Sequence, residues 1–395
     1  MGRCRSCGGI LRTDYDDDAV SRLGNIQSGP GIDRYRVLMP TSVEIPFLGE
    51  GDTPLIHSRR LGPTLGLNHL LFKNEGRNPS GAFKDRAGAL AAALALECGA
   101  AGVLTASSGN AASAIAAYCA AAELKCLILL EPGNPPNKLR QALATGAQVL
   151  PVNGIFGRGP EALQKLLTEV AARLNYYLAF VWAPVNPYLL EGIKTISYEV
   201  VAQLGDAPGN TGAPDVVVCP VGGGDMFAAQ WRGYRELKRA GVIKKLPRLI
   251  GVQSLNAPPL LEAFRSGAKH APSLPSAASK ISGINVAFSG DHALAAVRES
   301  GGTVAGVADE DVFAMQARIG REEGVWVEPA SAAPLTAIPK LLAEGVIAVN
   351  ERIVCIFSGA GFKDSHLAET EAMAINERTP MGFEVEEIIR SLRAH

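Results

Sequence analysis

Residues 73–86 read Lys73-Asn74-Glu75-Gly76-Arg77-Asn78-Pro79-Ser80-Gly81-Ala82-Phe83-Lys84-Asp85-Arg86. Asn, Pro, Ser and Gly at 78–81 are turn formers, and the turn delivers Lys84 to the start of an alanine-rich stretch, Ala87 to Leu96, with helix-forming composition. Near a helix N-terminus the dipole disfavours an ammonium group, which leaves more free amine to attack a carbonyl. The same residues also read as a solvated Lys-Asp-Arg cap. The lysine needs corroboration from elsewhere in the chain.

Outward from this stretch, β-rich runs alternate with helical ones. Val103-Leu104 precedes a loop and a helix over Ala111–Ala121, and Cys126–Leu130 reads as a buried strand. A helix near Asn137–Ala144, a strand at Gln148–Val152 and a helix over Pro160–Arg173 follow. Asp215–Pro220, Arg248–Val252 and Arg352–Phe357 are further strands, with a helix over Met226–Ala240 between the first two. Strands separated by helices predict right-handed βαβ units and parallel sheets, an α/β fold. The chain of 395 residues exceeds one ordinary core, and 47% hydrophobic with only 19% charged residues suits doubly wound sheets covered on both faces. Residues 1–40 differ, with Cys4 and Cys7, an acidic run at Asp14 to Asp18 and a Gly/Pro-rich passage, and read as a small N-terminal extension.

Charge and apolar runs exclude several classes. A net charge of −1 provides no field for nucleic acid or an anionic membrane. The longest apolar stretches, Ala87–Leu96 and Ala111–Ala122, fall short of the ~20 residues that span a bilayer. No segment reads as a signal peptide. Seven cysteines at irregular spacing argue against a disulfide framework and for a reducing compartment, so a cytoplasmic location is expected. Cys4-x-x-Cys7 lacks a second ligand pair, and no metal is expected.

Three further loops resemble sites. Thr105-Ala106-Ser107-Ser108-Gly109-Asn110, between strand and helix, could turn N–H groups and hydroxyls toward a carboxylate, or could simply cap the helix. Val221-Gly222-Gly223-Gly224-Asp225-Met226 lets backbone approach a phosphate, although a nucleotide loop looks similar. Phe357-Ser358-Gly359-Ala360-Gly361 ends the last strand with a hydroxyl that could face a heteroaromatic nitrogen, or is a plain turn.

Taken in order, the four stretches resemble the fold-type II, tryptophan synthase β-like family of pyridoxal-phosphate (PLP) enzymes, and within it the threonine synthases. Glu50-Gly51-Asp52-Thr53-Pro54-Leu55, Asn186-Pro187-Tyr188, Glu191-Gly192-Ile193-Lys194-Thr195 and Val327-Glu328-Pro329-Ala330-Ser331-Ala332 extend the likeness over about residues 45 to 370. The resemblance implies two doubly wound domains, a large cofactor-binding one at 41–98 plus 186–395 and a small mobile one at 99–185, in a homodimer. It implies PLP held as a Schiff base on Lys84, which is also the catalytic base. Asn110 would bond the 3′-oxygen, and Gly222, Gly223, Gly224, Asp225 and Met226 would wrap the phosphate. Thr105, Ser107, Ser108 and Gly109 would receive the substrate carboxylate. Ser358 would face the pyridine nitrogen and, as a hydroxyl, leave it neutral, which favours elimination or replacement by a lyase or transferase, most naturally a carbon–oxygen lyase.

The chain departs from the family where threonine synthases bind the phosphate of O-phosphohomoserine. An expected Arg is Leu189, an expected Ser is Pro184, an expected Thr is Ala111 and an expected Asn is Gly223. Each lost charged hydrogen bond is worth roughly 1.5–3 kcal/mol, so a different, less anionic amino-acid substrate is expected unless Lys73, Arg77 or Arg86 takes over. Threonine synthase itself, a serine or threonine dehydratase, and a cysteine or cysteate synthase-like β-replacement enzyme are the alternatives. A nucleotide-dependent oxidoreductase lacks its acidic ribose ligand, and a non-catalytic PLP-binding protein would need a silent Lys84.

Overall fold

The computed structural model describes residues 2–4, 6–25, 29–133, 136–205 and 212–364. Among the described residues ten strands follow in chain order: β1 Leu55–His57, β2 Leu70–Asn74, β3 Gly102–Ala106, β4 Lys125–Leu130, β5 Gln148–Pro151, β6 Tyr176–Leu178, β7 Val216–Pro220, β8 Arg248–Ser254, β9 Thr303–Val307 and β10 Ile353–Phe357. They make two sheets. The larger has the order β1-β2-β10-β7-β8-β9 and the smaller β5-β4-β3-β6. Every pairing is parallel except β1 with β2. The two-sheet α/β architecture expected from the sequence is present, with one antiparallel edge strand that periodicity did not announce. β1 and β6 span three residues each, too few to show a period.

Helices on both faces explain the composition of the central strands. All five residues of β7 and of β10 are buried, as strands covered on two sides require. Across the β2–β10 pairing, Phe72 of β2 stacks on Phe357 of β10 with ring centroids 4.6 Å apart. The alanine-rich Lys84–Glu97 helix packs against the Asn110–Ala121 helix, and small side chains permit that approach: a Cβ on Gly88 would meet the Ala114 carbonyl carbon at 3.1 Å.

Among the described residues, 1–40 add no strand to either sheet. They are not detached, however. Ile32, Tyr35 and Leu38 project from the 3-10 helix Gly31–Leu38 into the main core. The last part of the expected large domain, 365–395, lies outside the described residues.

Four loops leave the carboxyl ends of parallel strands: 75–83 after β2, 107–109 after β3, 221–224 after β7 and 358–360 after β10. In open parallel sheets that edge is where ligands bind. Each of the four stretches singled out in the sequence runs through one of these loops.

Candidate active site

Lys84 is the first residue of the Lys84–Glu97 helix, and its turn is clamped to the end of β10. Phe83 N–H donates to the Ser358 carbonyl at 2.9 Å, Ala360 N–H donates to the Gly81 carbonyl at 2.8 Å, and Ala82 bridges Gly359. Asp85 caps the same turn, accepting from Ser80 N–H at 3.0 Å and Ser80 Oγ at 2.6 Å. Burial pushes the Lys84 amine below the ordinary lysine range, while Asp225 and Glu328 act against that shift. Its Nζ sits 4.9 Å from the Phe83 ring centroid and makes no hydrogen bond or ion pair with any described residue. An amine of depressed basicity, left unpaired by the protein, can attack an aldehyde.

The glycine loop after β7 forms an anion cradle. Gly224 stands before the Asp225–Arg239 helix at φ +96°, in the left-handed region, and a Cβ there would lie 2.4 Å from Ala293 Cβ. Among the described residues, the N–H groups of Gly222, Gly223, Gly224, Asp225 and Met226 meet no protein acceptor. Free N–H groups at a helix N-terminus suit a phosphate. Asp225 and Met226 belong to this cradle through their backbone alone. The Asp225 carboxylate turns aside to accept Ala183 N–H at 2.7 Å and pair with His292 Nε2 at 3.2 Å, and the Met226 side chain is core.

The loop after β3 is a second cradle. Ser107 Oγ accepts Gly109 N–H at 3.2 Å, fixing the turn, and the N–H groups of Ser108, Asn110 and Ala111 have no protein acceptor among the described residues. Thr105 is not part of this cradle. It is fully buried in β3 and its hydroxyl donates to the Ala179 carbonyl at 3.0 Å. All five residues of β3 are buried, so neither face of the strand is open.

Glu328 joins the remaining pieces. It is 5% exposed and accepts Ser358 Oγ on Oε1 at 2.8 Å and Asn110 Nδ2 on Oε2 at 2.9 Å. Through it, the loop after β10, the Asn110–Ala121 helix and the start of the Pro329–Ala343 helix share one carboxylate. The sequence reading missed Glu328 as a site residue. Its only local signal is a glutamate before the proline that opens a helix, and that pattern also marks an ordinary helix start.

Lys73 and Arg86, offered as substitute anion ligands, are committed elsewhere. Both are fully buried. Lys73 Nζ donates to Glu199 at 2.7 Å, Thr53 O at 2.7 Å and Gln203 at 3.0 Å. Arg86 pairs with Glu75 at 2.7 Å and Glu199 at 2.5 Å. Neither can reach a ligand without breaking buried ion pairs, and Arg77 is exposed. Of the four positions where polar anion ligands were expected, Leu189 is fully buried in the main core, Pro184 is buried, and Ala111 is the second residue of the Asn110–Ala121 helix. Gly223 lies beside Trp182, whose Cδ1 would be 3.4 Å from an added Cβ. Trp182 packs on Phe288 at 4.7 Å between centroids, and its indole N–H has no hydrogen-bond partner among the described residues. A cleft of about 960 Å³ behind this indole runs along the N-terminal residues and the Asp225–Arg239 helix, but it includes none of Lys84, Asn110 and Ser358. No group of three or more His, Cys, Asp or Glu among the described residues is arranged to hold a metal ion.

The geometry has relatives. Residues 46–359 match the family described as pyridoxal-phosphate dependent enzyme. The chain is 38% identical to a threonine synthase of Methanocaldococcus jannaschii, over 92% of this chain and 89% of that one. It is 36% identical to one of Methanosarcina acetivorans, over 91% and 87%, and 36% identical to one of Mycobacterium tuberculosis, over 87% and 91%. Among solved structures, a T.th. threonine deaminase superposes with TM-score 0.65 at 26% identity, covering 78% of this chain and 92% of the other. Maize serine racemase, at TM-score 0.66 and 22% identity over 82% and 92%, shares the fold.

Proposed function

Because the chain belongs to the pyridoxal-phosphate-dependent enzymes and is a threonine-synthase-like member of them, we propose that Lys84 holds the cofactor covalently and moves a proton at the substrate's α-carbon. The observation that carries this reading is an unpaired, weakened amine flanked by two cradles of free N–H groups. Gly222, Gly223, Gly224, Asp225 and Met226 would hold the cofactor phosphate through their N–H groups, Asn110 its 3′-oxygen, and Ser358 its ring nitrogen. Bound there, pyridoxal phosphate supplies an electron sink for bonds at the α-carbon. Ser107, Ser108, Gly109 and the N–H groups beyond them bind the substrate carboxylate, which orients the α-proton toward Lys84.

The substrate's far end meets fewer charges than a phosphate ester needs. Leu189 and Pro184 are apolar and buried, Gly223 has no side chain, and Lys73 and Arg86 are occupied. We therefore assign an elimination or replacement on an amino acid whose leaving group is less anionic than that of O-phosphohomoserine. Residues 99–185 would move over the larger domain as substrate enters. A cytoplasmic homodimer completes the reading. The free cysteines, Cys119, Cys126, Cys219 and Cys355 among them, support the reducing location, and the low share of charged residues, 19%, supports burial of surface against a second copy.

Purified protein with pyridoxal phosphate should absorb in the visible, and borohydride should fix the label on the Lys84 peptide. Lys84→Ala should lose both signals. Labelling of another lysine would sink the assignment. A panel of amino acids assayed for ammonia, keto acid or phosphate then tests the substrate: phosphate release from O-phosphohomoserine at rates typical of an efficient enzyme would refute the less anionic choice.

A further inference from the structure

Beside the glycine loop stands a side-chain donor that no protein group accepts from. Trp182 is 6% exposed, and its indole N–H has no hydrogen-bond partner among the described residues. A buried N–H without an acceptor is costly to a folded chain. The ring is nevertheless well fixed. It tilts on Phe288 at 58°, the Trp182 carbonyl accepts the N–H groups of Val185 at 2.9 Å and Asn186 at 3.0 Å, and the next residue, Ala183, donates to Asp225 Oδ1 at 2.7 Å. Its five-membered edge is turned to Gly223, where an added Cβ would lie 3.4 Å from Cδ1 and 3.8 Å from Nε1. The N–H edge thus stands one methyl group away from the second glycine of the cradle.

The loop's own acceptors are spent elsewhere. The Gly222 carbonyl accepts Ser289 Oγ at 2.7 Å, and the Gly223 carbonyl accepts Gly290 N–H at 3.0 Å. Asp225 Oδ1 takes Ala183 N–H and meets His292. Asp225 Oδ2 would lie 3.3 Å from the same added Cβ, yet the indole does not donate to it. The indole therefore joins the backbone N–H groups of 222–226 as a further donor without a protein acceptor among the described residues. Such a set calls for an anion with several acceptor atoms.

We propose that Trp182 donates its indole N–H to the phosphate of the bound cofactor, adding a side-chain donor to a cradle built from backbone. The proposal rests on the reading that residues 222–226 hold that phosphate. A phosphate presents three strong acceptor oxygens, each with more than one lone pair, so five backbone N–H groups do not exhaust it. A hydrogen bond to an ionised acceptor is roughly twice as strong as one between neutral groups, and an indole supplies it without adding charge to the site. Trp182 is then a cofactor-binding residue that precedes the glycine loop in the chain, and no pattern within the loop announces it.

Pyridoxal, which has the ring and aldehyde of the cofactor but no phosphate, isolates the contact. Visible absorbance titrations of the apoenzyme give dissociation constants for both compounds. In the wild type the phosphate should tighten binding by orders of magnitude. Trp182→Phe keeps a ring against Phe288 and loses the N–H, so there the advantage of the phosphate should shrink about tenfold while pyridoxal binds as before. Both ligands meet the same variant, and general damage to the fold cancels in the ratio. An undiminished ratio in Trp182→Phe overturns the proposal and marks the ring as packing alone. No advantage of the phosphate in the wild type is a different failure, which removes the reading of the cradle and the proposal with it. A second readout needs no substitution at 182. The chain has three tryptophans, and the indole N–H signal that both Trp231→Phe and Trp326→Phe retain should move downfield with pyridoxal phosphate but not with pyridoxal. A signal indifferent to the phosphate overturns the contact.

Discussion

Lys84 is held by its neighbours more than by its own contacts. The turn before it needs Asp85, which burial raises to about 6 from the ordinary 3.8. In that window the folded chain binds a proton that the unfolded chain has released, so this group makes stability fall as pH rises from about 4 to 6. Asp85→Asn should flatten that fall, measured as urea midpoints across the window, and parallel profiles would contradict the assignment. Gly224 is the matching backbone case. With φ at +96° and Ala293 Cβ 2.4 Å from any added Cβ, Gly224→Ala costs strain of about 1–3 kcal/mol and displaces the cradle. The expected result is a lower melting temperature together with at least tenfold weaker cofactor binding by fluorescence titration. The sequence showed this glycine and Lys84 plainly, because turn chemistry is local. It did not show that the Thr105 hydroxyl is taken by Ala179, 74 positions away, or that Ser358 and Asn110 meet at Glu328.

At the level of elements, the site stands on a buried ionic block. Arg86 on the Lys84–Glu97 helix, Lys73 on β2 and Glu75 just beyond it converge with Glu199 on the Thr195–Gly205 helix. Arg86 and Lys73 hold the Glu199 carboxyl down at about 2 despite its burial. The stability this adds is present above the unfolded carboxylate's pKa and is lost as pH falls toward 2. Glu199→Gln leaves two buried cations short of an acceptor and should destabilise by about 3–5 kcal/mol in urea unfolding. A loss below about 1 kcal/mol would mean that water reaches the block. The helices and longer strands were legible in the sequence because their apolar runs are long. β1 and β6 were not, since three residues carry no period and their pairing depends on β2 and β3.

For the whole molecule, cofactor binding should appear as stability. A ligand held by the folded chain alone adds RT ln(1 + [L]/Kd), about 2.7 kcal/mol at a hundredfold excess over Kd. Thermal denaturation should therefore shift upward with added pyridoxal phosphate in the wild type and much less in Lys84→Ala. An equal shift in both would place the cofactor elsewhere. The sequence by itself determined the α/β class, the order of the four loops and the place of Lys84 at a helix start, because turns, helix starts and apolar runs are properties of neighbouring residues. Only the tertiary structure decided which of those residues face one another. β10 returns from the end of the chain to lie between β2 and β7, and that pairing sets Ser358 and Glu328 beside Lys84. Contacts between distant positions depend on sheet order and packing, and a linear pattern carries neither.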